Sequence, residues 1–101
     1  MLPKEFFAQL PDKADPERIA GVEHAYLFDV EGEGRWLVDV RDGKITIAEN
    51  PDREGDVQFS MSGDTFDRIT ARKQNPMVAY MTGKVKVSGD IGAAMDLQSI
   101  L

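Results

Sequence analysis

From Val22 to Arg41 apolar and polar residues alternate, the two-residue period of strands that bury one face. Val22, His24, Tyr26, Phe28 and Val30 share one phase; Glu23, Ala25, Leu27, Asp29 and Glu31 share the other. Glu31-Gly32-Glu33-Gly34 turns the chain. Trp36, Val38 and Val40 then resume the apolar phase against Arg35, Leu37, Asp39 and Arg41. Asp42-Gly43 is a strong hairpin signal, because both central positions of a type I′ turn need positive φ. Ile45 and Ile47 carry the apolar face beyond it. Asn50 to Gly55 reads as a polar loop, Val57, Phe59 and Met61 as a fourth strand, and Val85 and Val87 as a fifth. One sheet face should be apolar and the other charged, so a single layer of helices should cover the apolar side.

The helical segments are punctuated by capping residues. Pro3 to Leu10 reads as a short helix edged by Phe6, Phe7 and Leu10, which Pro11-Asp12-Lys13 should interrupt. Asp15-Pro16 restarts a helical turn, with Asp15 as its cap. Ser62 can cap a helix over residues 63–73, whose Phe66 and Ile69 share a face. Asn75-Pro76 opens another helix and Gly83 ends it. Asp90 caps the last, where Ile91, Ala94, Met95, Leu97 and Ile100 form an apolar stripe. The class is α+β.

A chain of 101 residues is long enough for one core, so residues 1–101 are read as a single domain. No apolar run reaches the length of a membrane span. No signal-like apolar core follows a basic start. Cysteine is absent, which removes disulfides, thiol nucleophiles and thiolate metal sites together. A cytoplasmic location is the expectation.

The net charge of −6 argues against nucleic acid as a partner. The charge is unevenly spread, however. Residues 1–67 hold 16 acids and 7 bases, whereas no acid occurs from Arg68 to Gly89. Arg68, Arg72, Lys73, Lys84 and Lys86 all fall in that acid-free stretch. It is either a solvated basic face or a rim for an anionic head group or a transient contact with an anionic bilayer surface.

Catalytic chemistry finds no foothold in the pattern. The one histidine, His24, falls among Val22, Tyr26 and Phe28 on an inward strand phase. It reads as a hydrogen-bonded wall residue or a ligand head-group contact. The acids sit on outward strand positions and loops, not as a pair facing a cleft. Asn50 to Gly55 imitates a calcium loop, but its twelfth position is Met61 where a bidentate glutamate is needed. Gly32-x-Gly34 lacks the third glycine of a dinucleotide fingerprint, since Leu37 stands there. No enzyme activity, metal or other cofactor is expected. Met61, Met77, Met81 and Met95 should share an interior with Phe59, Phe66, Tyr80 and Trp36, as gap-fillers of a packed core or as an adaptable apolar pocket.

Several short stretches, taken in order, resemble the sterol carrier protein 2 family. They are Asp56-Val57 opening a strand that ends Met61-Ser62, Phe66 in the next helix, Asn75-Pro76, the run Gly83-Lys84-Val85-Lys86-Val87-x-Gly89-Asp90, and Ala94-Met95-x-Leu97. The hairpins at Gly32 and Asp42-Gly43 fall where the family has them, so the likeness spans about 20–101. It implies a five-stranded, largely antiparallel sheet with helices on one face. Between them it implies an apolar tunnel that binds fatty acid, fatty acyl-CoA, sterol or isoprenoid lipids without catalysis. By position, the tunnel wall would comprise Phe59, Met61, Phe66, Ile69, Met77, Tyr80, Met81, Ile91, Ala94, Met95 and Gln98. Strand phase adds Trp36, Tyr26 and His24, and Arg72, Lys73, Lys84 and Lys86 would form the head-group rim. The sequence also departs from some members, which carry a C-terminal extension ending in a peroxisomal signal; Ser99-Ile100-Leu101 is not such a signal. The rival to a lipid carrier is an interaction or dimerisation module of the same fold, its core filled, supporting a partner enzyme. Oligomeric state is left open by the sequence.

Overall fold

The computed structural model describes residues 2–96. Ten elements follow in order: α1 (Pro3–Lys13), α2 (Pro16–Ile19), β1 (His24–Glu31), β2 (Gly34–Arg41), β3 (Lys44–Glu49), β4 (Val57–Ser62), α3 (Gly63–Thr70), α4 (Pro76–Met81), β5 (Val85–Gly89) and α5 (Ile91–Asp96). The five strands form one sheet in the order β3-β2-β1-β4-β5. Every pairing is antiparallel except β1 with β4, which run parallel with Phe28 opposite Phe59. The Asp42-Gly43 turn has φ of 52° and 72°, as a type I′ hairpin requires.

The inward phase read from the sequence forms the core. Tyr26, Phe28, Val30, Trp36, Val38, Val40, Val57 and Phe59 are buried against Phe7, Leu10, Ile19, Phe66, Ala79 and Ala93, so the helices lie on one face of the sheet. Phe7 is the hub, with ring centroids 5.1 Å from Trp36, 5.2 Å from Phe28 and 5.4 Å from Phe66.

The outer face is not uniformly charged, contrary to the alternation reading. Ala25, Leu27 and Leu37 form a second buried cluster there. Topology explains it. β3 is an edge strand and β4 lies on the far side of β1, so the chain between them must cross β2 and β1. It crosses on the outer face. A Cβ added to Gly55 would sit 3.0 Å from the Leu37 side chain and 2.7 Å from the Ala25 carbonyl oxygen. Arg53 donates to Asp39 at 2.6 Å and pins the crossing to β2.

Two helix boundaries also differ from expectation. α1 runs through Pro11 to Lys13, although a proline there removes one backbone bond and crowds the preceding turn. The last turn is closed by the Ala14 N–H donating to the Leu10 carbonyl at 3.0 Å. α3 ends at Thr70 instead of Lys73: Arg72 adopts φ of 61°, and the Lys73 and Gln74 N–H groups both return to the Arg68 carbonyl.

The caps form as read. Asp15 accepts from Glu17 N–H, Ser62 from Thr65 N–H, Asn75 from Met77 and Val78 N–H, and Asp90 from Ala93 N–H. Gly83 closes α4 in a Schellman motif, with Gly83 N–H donating to Tyr80 and Lys84 N–H to Ala79.

The β5–α5 junction depends on Gly89, which pairs with Val57 at φ of 99°. A Cβ there would stand 2.5 Å from the Asp56 carbonyl oxygen and 3.1 Å from Val57 Cα, both backbone atoms. Gly89→Ala should therefore lower stability by about 1–3 kcal/mol, read as a lower urea midpoint at unchanged slope. An unchanged midpoint would show that the junction relaxes freely.

Candidate functional site: an apolar cavity beneath the helices

A cavity of about 550 Å³ lies between the inward sheet face and the helices. β1 contributes Phe28, β4 Phe59 and Met61, and β5 Val85 and Val87, all set inward by strand alternation. α3 contributes Phe66, Ile69 and Thr70 along one face, and α1 adds Phe6, whose ring meets Phe66 edge-on at 5.5 Å. Asn75, Pro76, Met77 and Tyr80 form the α4 side, and Ile91, Ala94 and Met95 the α5 side.

The lining is closed in one part and open in another: Phe28, Phe59 and Phe66 are buried, whereas Tyr80 on α4 and Ile91 and Met95 on α5 are about half exposed. Its polar lining residues are Thr70 and Asn75. The Thr70 hydroxyl donates back to the Phe66 carbonyl at 2.9 Å, which leaves its oxygen able to accept. Asn75 Oδ1 is occupied by the α4 cap, which leaves the amide nitrogen as a donor. The Arg72-Lys73 loop is exposed and joins these two residues along the chain.

Nine of the residues read from sequence line this cavity: Phe59, Met61, Phe66, Ile69, Met77, Tyr80, Ile91, Ala94 and Met95. Met81 does not; it is 77% exposed, at the end of α4. Trp36 and Tyr26 are buried in the core, Trp36 stacked on Phe7 and Tyr26 on Phe59. Burial, and then the charges of Asp96, Asp56 and Asp90, push the Tyr26 hydroxyl's ionisation well above its ordinary range. His24 lies outside the cavity, with Nε2 3.3 Å from Asp96 and Nδ1 3.8 Å from Asp56. Gln98 falls outside the described residues, as do Leu97 and Ile100.

The basic residues separate. Arg72 and Lys73 stand in the loop between Thr70 and Asn75, but Lys84 and Lys86 line a polar groove with Asp29, Glu31 and Ser60. That groove is on the outer face, because Lys86 alternates with the inward Val85 and Val87. It places Lys86 across the sheet from the cavity, not on its rim.

Among the described residues, Phe6, Phe28, Thr70, Asn75, Pro76, Val85 and Val87 also line the cavity, beyond those read as its wall. Strand phase could have found Phe28, Val85 and Val87, and the cap position Asn75. Among the described residues no cluster of three potential ligands could hold a metal, and no helix is long and apolar enough to cross a membrane.

Comparison with known proteins agrees with this architecture. The chain is 34% identical to sterol carrier protein 2 of Gallus gallus over 96% of its length, and 32% identical to hydroxysteroid dehydrogenase-like protein 2 of Xenopus tropicalis over 97%. It spans only 18% and 24% of those two proteins, respectively. Among solved structures, the sterol carrier protein domain 2 of Helicoverpa armigera superposes with a TM-score of 0.78 at 26% identity, covering 93% of this chain and 80% of that one. The sec-alkylsulfatase Pisa1 from Pseudomonas sp. contains the same fold, with a TM-score of 0.85 at 24% identity over the whole of this chain and 16% of that one. The family model described as the SCP-2 sterol transfer family matches residues 4–101, and the chain belongs to that family.

Proposed function

We propose that this protein binds a lipid in the cavity, without catalysing a reaction on it, and so carries or presents fatty acid, fatty acyl-CoA, sterol or isoprenoid ligands. The observation that carries the reading is the cavity itself: about 550 Å³ walled almost wholly by aromatic, aliphatic and methionine side chains. This volume lies within the ~300–1,000 Å³ range of ligand sites. The hydrocarbon portion occupies the part walled by Phe28, Phe59 and Phe66, and the polar head faces Thr70, Asn75 and the Arg72-Lys73 loop. Family membership supports the same ligand class. The alternative, an interaction module with a filled core, is not favoured, because the space beneath the helices is open.

The test is native mass spectrometry of the purified chain, alone and with added palmitate or palmitoyl-CoA, on wild type and Val87→Trp. Val87 lines the cavity from a strand whose register with Phe59 fixes its direction, so a tryptophan there fills the space without swinging aside. Wild type should take up about one lipid per chain, and the variant should bind at least about tenfold more weakly while remaining folded. Failure of both fatty ligands to bind wild type would instead support the interaction module.

A further inference from the structure

α4 presents more apolar surface than the cavity uses. Its sequence, Pro76-Met77-Val78-Ala79-Tyr80-Met81, contains no charged residue, yet only Ala79 is buried. Val78 and Met81 are 48% and 77% exposed, and neither lines the cavity. Tyr80 is exposed beside them, and Ile91 and Met95 extend the apolar surface across the cavity mouth to α5.

The charged residues nearest α4 along the chain are all basic. Arg72 and Lys73 precede it and no acid occurs from Arg68 to Gly89, whereas Lys84, which follows it, lines the outer-face groove with Asp29 and Glu31. Arg68 is held by Asp64 at 3.2 Å, but Arg72, Lys73 and Lys84 have no ion-pair partner among the described residues. Arg72 also occupies the left-handed position (φ of 61°) that ends α3, where glycine would fit with less strain. The acids on the far lip are engaged on α5 itself or toward the sheet: Asp90 caps α5, and Asp96 faces His24.

We propose that α4 is a membrane-docking element, by which the protein sets its cavity mouth on an anionic bilayer. Val78, Tyr80 and Met81 enter the interface, with the tyrosine hydroxyl at head-group depth. Arg72 and Lys73 attract the anionic lipid heads despite the chain's overall charge of −6. Because the same face carries the mouth, a lipid could pass between bilayer and cavity without crossing water. The proposal extends the lipid-cavity reading, but its test separates the two.

The experiment is co-sedimentation with phosphatidylcholine vesicles, with and without phosphatidylserine, alongside palmitate binding without vesicles. Wild type should bind the anionic vesicles and lose them in high salt. Val78→Asp/Met81→Asp should lower vesicle binding by at least about tenfold and leave palmitate affinity unchanged, since neither residue lines the cavity. Replacing Arg72 and Lys73 singly by alanine should cost about fivefold each. Vesicle binding without palmitate binding would support docking and overturn the cavity reading instead. Palmitate binding without vesicle binding, or aspartate variants that sediment like wild type, would overturn docking. So would light scattering showing that these variants abolish a dimer in a protein that ignores vesicles, which would assign the face to a second copy.

Discussion

Phe7→Ala should destabilise the fold by about 3–5 kcal/mol, the usual cost of emptying a buried phenylalanine site. Phe7 is 1% exposed, and it fastens α1 to the sheet through Phe28 and Trp36 and to α3 through Phe66. Alanine would forfeit these contacts together, and no adjacent element can close the gap without moving α1. Domains of this size are stable by only about 5–15 kcal/mol. The melting temperature should therefore fall by at least about 12 °C, taking roughly 4–8 °C per kcal/mol. Trp36 is the only tryptophan and stacks on Phe7, so its fluorescence reports both unfolding and the local loss. The neighbouring Phe6 is only partly buried and lines the cavity, so Phe6→Ala should cost less than half as much. Equal costs for the two would contradict the division between core and cavity wall.

That division marks where sequence reading succeeds and where it stops. The inward phase of Phe59 and Met61 and the capped start of α4 follow from period and cap chemistry, which act over a few residues. The parallel pairing of β1 with β4 does not, since nothing local tells a strand which distant neighbour it will join. The burial of Ala25, Leu27 and Leu37 depends on that pairing, because it sends the crossing loop over their face. Phe6 reaches the cavity for a similarly long-range reason, through the seating of α1 against α3.

Three residues lie away from where their pattern suggests, each for a local reason. Met77 and Met81 are four apart, so helical spacing puts both inward. The helix ends at Met81, however, and the Schellman turn at Gly83 leads the chain away, leaving Met81 in solvent. Charge alone suggests a rim position for Lys86, but the alternation that turns Val85 and Val87 inward must turn Lys86 outward. His24 shares the phase of Tyr26, but at the start of β1 that phase meets Asp56 and Asp96 instead of the cavity. Phase gives a face. Position along the strand decides what the face meets.

Binding of saturated fatty acids should strengthen steeply with chain length and then level off. Each buried methylene contributes about 0.8 kcal/mol. Lengthening from decanoate to palmitate adds six methylenes, for a gain of up to about 4.8 kcal/mol, or roughly 3,000-fold in Kd. The cavity sets the limit. A volume of about 550 Å³ that opens at α4 and α5 can enclose only a limited length of chain. The gain should therefore fade for longer acids, whose added carbons remain at the half-exposed mouth beside Tyr80, Ile91 and Met95. Isothermal titration across the series also tests the mechanism, since burial of the growing chain should make the heat-capacity change more negative up to the same length. Affinity independent of chain length would mean that the fatty acid binds by its head group at the surface. Affinity that rose without levelling would mean that the chain runs past the mouth onto further apolar surface. A slope that ends near the length the cavity holds would tie the affinity to the space enclosed by the sheet, α3, α4 and α5.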